Sequence, residues 1–81
     1  MNAEILKELN KILPVVVRVH GEHHPELREV GMLYEQLKAE PSIQLVEKIR
    51  QVTNNFEVPQ DACPTYEKAY HYLESLTQEI K

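Results

Sequence analysis

Tryptophan is absent from this chain, glycine occurs twice and cysteine once. With so few glycines there is no glycine-rich loop to cradle a phosphate, and no nucleophile motif is present to argue for catalysis. A single thiol, Cys63, excludes an internal disulfide and suits a reducing, cytoplasmic setting. No apolar run approaches the ~18 residues that a membrane-spanning helix requires. The opening MNAEILKELNK alternates charged with apolar residues and lacks the apolar core of a secretory signal. Basic residues are interspersed with acidic ones, the net charge is -4, and no cluster of Lys and Arg exists to displace phosphate counterions. Nucleic acid and membrane are therefore not expected partners, and no small-molecule substrate is identifiable.

What is present favours helices. Apolar residues form 42% of the 81 positions, enough for one small core and too many for a disordered chain. A single domain is expected over 1–81. Four segments carry apolar residues at helical spacing, separated by breaks that contain Pro or Gly. Ile5, Leu9, Ile12, Leu13, Val16 and Val19 mark a helix over 2–19 with Asn2 as its cap. Pro14 predicts a kink, or a second helix starting there. Gly21 is placed to end this helix, with His20 in its last turn. Pro25 opens a second helix over 25–40, with Leu27, Val30, Leu33, Tyr34 and Leu37 on its apolar face and Pro41 beyond its end. Ile43, Val46 and Ile49, with Leu45 or Val52, mark a third over 42–54 that fades at Thr53-Asn54-Asn55. Phe56 and Val58 in the following loop are expected to pack under the helices. The fourth runs over 64–80 on Tyr66, Ala69, Tyr70, Leu73, Leu76 and Ile80. The fold class expected is all-α, a small up-down four-helix bundle.

The chemistry-bearing residues concentrate in VHGEHHPEL, residues 19–27, where His20, His23 and His24 lie among Glu22 and Glu26. Histidine with carboxylate is a metal-site vocabulary. His20 and His24 have the i, i+4 spacing that shares a helix face, but Gly21 and Pro25 break the helix between them. The competing reading is a polar turn, with His20 offsetting the negative end of one helix and His23 or His24 preceding the next. His71, with Glu67 and Glu74 nearby, is a weaker ligand candidate, since carboxylate-bridged di-metal bundles need such pairs on more than one helix. Cys63 stands just before a helix start and reads as a partly buried structural thiol. Tyr66, Tyr70 and Tyr72 read as core and rim.

These residues also carry a resemblance. VVVRVHGEHHPELREVGMLYEQLKAE, residues 15–40, resembles the second helix region of the iron–sulfur cluster repair di-iron proteins, which are hemerythrin-like. LVEKIRQVTNNFEVPQDACPTYEKAYHYLESLTQEI, residues 45–80, is similar to the last two helices of the same domain. The resemblance implies a hemerythrin-like four-helix bundle, iron as cofactor, and a role in repairing clusters damaged by oxidative or nitrosative stress.

Residue by residue, His20 matches a family ligand. The family's first ligand histidine would lie before the start of the chain. Its H-x-x-x-E helix and LFP run are missing between Ala39 and Ser42, and its closing H-x-x-x-E would follow Lys81. The resemblance therefore implies the scaffold of a degenerate, truncated or engineered relative. The expected function is a non-catalytic hemerythrin-like bundle with weak or no iron binding. No catalytic or cofactor-binding residue is assigned. The metal candidates are His20 first, His24 and His23 next, and His71 last. One alternative completes a di-iron repair site by oligomerisation, pooling these histidines from two chains. The other is a helical interaction module that forms a homodimer.

Overall fold

A computed structural model describes residues 2–80, so Met1 and Lys81, the outermost positions of the domain expected over 1–81, lie outside the described residues. Four helices follow one another: α1 (Ala3–His20), α2 (Glu26–Ala39), α3 (Ile43–Val52) and α4 (Pro64–Gln78). Among the described residues there is no strand. The architecture is an all-α helical bundle in which α1 packs on both α4 and α2, and α2 packs on α3.

Local chemistry explains each boundary. Asn2 caps α1 through its side-chain oxygen, which accepts from the backbone N–H of Glu4 at 2.9 Å and of Ile5 at 3.2 Å. Ser42 does the same for α3, accepting from Leu45 N–H at 3.2 Å. Glu40 leaves α2 in an extended conformation (φ -149°, ψ 93°), as expected of a residue whose helical conformation the following Pro41 disfavours. Pro25 occupies the cap position of α2 rather than its first helical turn. It is already helical in φ and ψ, and tight bonds from Leu27 N–H to His24 O and from Arg28 N–H to Pro25 O draw the helix start one residue later.

Of the two alternatives at Pro14, the one that starts a second helix there is corrected. Pro14 neither ends the helix nor starts a new one, because Ala3–His20 is continuous through it. The cost of an interior proline, roughly 3 kcal/mol, is offset by Leu9, Leu13 and Val16, which are fully buried on either side of it. Gly21 ends the helix as expected, but in a right-handed conformation (φ -61°). Its requirement is space: a Cβ here would stand 2.3 Å from the carbonyl oxygen of Val17, which accepts the Gly21 N–H.

The core consists of Leu9, Leu13 and Val16 from α1, five residues of α2 (Leu27, Val30, Leu33, Tyr34, Leu37), Val46 and Ile49 from α3, and the Tyr66, Ala69, Tyr70, Leu73, Leu76 face of α4, closed by Phe56. Val19 and Ile43, placed on apolar stripes by spacing, are exposed. At 100° per residue each lies about 90° around its helix from the stripe centre. Val58 is likewise exposed, so of the two loop residues only Phe56 packs under the helices.

The loop after α3 turns by an uncommon device. Asn54, Asn55 and Phe56 are all left-handed (φ 52°, 61° and 62°). Asn tolerates this conformation; Phe ordinarily does not. Thr53 holds the turn. Its buried hydroxyl donates to Ile49 O at 2.8 Å and accepts from Phe56 N–H at 3.0 Å, while its carbonyl accepts from Glu57 N–H. The turn delivers Pro59–Cys63 to the end of the bundle where α1 stops and α2 begins.

Candidate functional site

At that end four segments meet: the last turn of α1, the 21–25 connection, the 57–63 loop and the first turn of α4. His20 Nε2 lies 3.2 Å from Cys63 Sγ, a hydrogen bond whose donor depends on the tautomer. Cys63 is the cap residue of α4 and makes no side-chain cap bond, so its sulfur faces the imidazole instead. His24 Nε2 stands 3.0 Å from both carboxylate oxygens of Asp61, and its Nδ1 is 3.6 Å from Glu26 Oε1. Glu26 Oε1 is shielded from solvent and has no hydrogen bond, although its side chain as a whole is partly exposed. Glu26 Oε1 therefore faces His24 at a distance too long for a hydrogen bond.

Tyr66 organises the two imidazoles. Its ring meets His20 edge-on at 5.0 Å and His24 at 5.7 Å, and it packs edge-on against Tyr70 at 5.0 Å. Such edge-to-face contacts fix ring orientation as well as burying area. Burial pushes the Tyr66 and Tyr70 phenols up from their ordinary value. The hydrogen bond from His24 is the main reason the Asp61 carboxyl is held below the usual range. A shallow cleft beside the cluster is lined by His24, Glu26, Thr53, Asn54, Tyr66 and Tyr70, among others.

The histidine-rich stretch therefore divides. His20 and His24, spaced as a chelating pair, are each taken by a different partner. His23 is exposed in the turn, and its backbone N–H bonds to His20 O. His71 is exposed on α4 beside Glu67, Lys68 and Tyr72. The Cys63 and Asp61 partners carry no local sequence signal, because they lie 43 and 37 positions from their histidines.

A di-iron centre needs several histidines and carboxylates projecting between the helices. Here the interhelical space is occupied by aliphatic and tyrosine side chains, and the buried polar side chains among the described residues are Thr53 and Thr77. No group of three or more His, Cys, Asp or Glu among the described residues is arranged to hold a metal. These residues do not fit a di-iron centre within one chain. Among the described residues no helix is long and apolar enough to cross a membrane. No family model matches the chain, and neither do any curated protein or solved structure.

Proposed function

We propose that the chain is a non-catalytic, hemerythrin-like helical bundle related to the iron–sulfur cluster repair proteins, working in the cytoplasm, with weak or no iron binding. The observation that carries the reading is the occupation of the interhelical space by Leu, Val, Ile and Tyr side chains, where a di-iron protein of this architecture would direct its ligands. The engagement of His20, the one family-matched ligand, supports it further. Its Nε2 is spent on Cys63 and its ring is packed on Tyr66. Replacing buried ionisable ligands by apolar side chains removes a desolvation cost, so such a bundle gains in stability what it gives up in metal affinity.

The test is metal analysis of the purified chain after anaerobic incubation with excess ferrous iron and desalting. Iron far below one per chain, unchanged by His20→Ala, is the expected result. Two tightly held irons per monomer would overturn the reading.

A further inference from the structure

On the outer side of the α1–α2 pair lies an open apolar groove, away from the histidine cluster. Pro14 and Val17 of α1 and Gly31 of α2 line it over buried Leu13 and Tyr34, together with Met32, which is 63% exposed. Gly31 keeps the groove open at this point: a Cβ there would stand 3.5 Å from Val17 Cγ2. An interior glycine weakens a helix relative to alanine, and α2 carries that cost where the groove lies.

Charge along the groove is polarised. Arg18 and Arg28 flank one end and Glu35 the other. Arg28, Gly31, Met32 and Glu35 follow i, i+3, i+4, i+7 spacing, so they form one seam along α2. That seam is its own complement when reversed. A two-fold axis midway between positions 31 and 32 sets Met32 of each copy over the Gly31 hollow of the other. The same axis brings Arg28, about 5 Å from it along the helix, opposite the partner's Glu35. Lys38, which pairs with Glu35 at 3.0 Å, is also bound to Asn10 Oδ1 at 2.8 Å and lies over the Tyr34 ring. Glu35 is the exposed end of that pair, its side chain 68% accessible, so it is open to a second cation.

The geometry points to a second copy of this chain as the occupant, docked antiparallel along α2 through the Arg28–Gly31–Met32–Glu35 seam. This assignment is independent of the family reading, since it uses none of the histidines.

Sedimentation equilibrium of the whole chain from micromolar to millimolar concentration tests it. The mass should rise from one chain to two. Arg28→Glu and Glu35→Arg should each weaken the dimer at least about tenfold, because like charges then face each other at two symmetric places. The double variant Arg28→Glu/Glu35→Arg should restore association to near the original strength, which a folding defect cannot mimic. Met32→Lys should abolish association while leaving the helical circular dichroism unchanged. A chain that stays monomeric at millimolar concentration overturns the assignment, whatever else fits the groove. So do single charge reversals that dimerise as tightly as the parent, or a double variant as weak as either single.

Discussion

His20 and Cys63, 43 positions apart, share a hydrogen bond of 3.2 Å that joins the end of α1 to the start of α4. The two helices pack along the bundle, and this bond with the Tyr66 contact fixes their relative ends. His20→Ala removes the bond and the edge-on ring contact together. The expected loss is about 1–2 kcal/mol, the sum of one modest hydrogen bond and one aromatic contact. Urea unfolding followed by circular dichroism measures it; a midpoint equal to that of the parent would show the pair to be without structural weight.

Asp61 and His24 make the second tie, between the 57–63 loop and the start of α2. Because His24 stabilises the ionised Asp61 carboxyl, that carboxyl should titrate below the ordinary aspartate range. A depressed carboxyl contributes stability that is present above its unfolded value near 3.9 and is lost as pH falls through the lower folded value. A carbon-detected NMR titration should show this displacement, and His24→Ala should move Asp61 back toward the ordinary value. An Asp61 that titrates alike in both proteins would disprove the link.

Alkaline behaviour should be set by the tyrosines. Burial, helped by Glu35, pushes Tyr34 up to about 12, and burial raises Tyr66 and Tyr70 as well. A phenol raised in the folded state contributes stability in full below its unfolded value near 10, and that contribution is lost as pH rises through the folded value. Phenolate absorbance should therefore lag in the folded protein relative to the chain in guanidinium, and unfolding should accompany ionisation between about pH 10 and 12. Tyr34→Phe removes the donor to Asn10 Oδ1 at 2.7 Å and should cost about 1 kcal/mol at neutral pH.

The helices were legible because their periodicity and their caps are local. Asn2 and the Leu9–Leu13–Val16 stripe require only neighbouring residues to be read. Val19 and Ile43 were misplaced by the same rule, which counts apolar residues near a stripe although these two lie about 90° around the helix from its centre. The candidate site was legible only in part. The spacing of His20 and His24 suggested that they belong together, but the packing of α1 on α4 gives His20 to Cys63, and the 57–63 loop gives His24 to Asp61. Contacts across about forty positions depend on tertiary geometry that no local pattern encodes. The two asparagines announced a turn; the left-handed Phe56 beside them did not, because its conformation is imposed by burial and by Thr53.

Thr53 offers the sharpest test of that turn. Its hydroxyl is buried, donates to Ile49 O and receives Phe56 N–H. Thr53→Val keeps the shape but leaves the Phe56 N–H without its acceptor in a buried position, at an expected cost of about 1–3 kcal/mol. Asn55→Gly acts oppositely at the same turn, since glycine adopts φ 61° without a Cβ penalty. Its gain is partly cancelled by the greater freedom of glycine in the unfolded chain, so a change within about 0.5 kcal/mol of zero is expected. Asn55→Val, whose branched side chain resists the left-handed region, should lose about 1–2 kcal/mol. Thermal unfolding of the three variants should therefore rank glycine above both valine substitutions. If Asn55→Val melts with the parent, the turn is not held left-handed at residue 55.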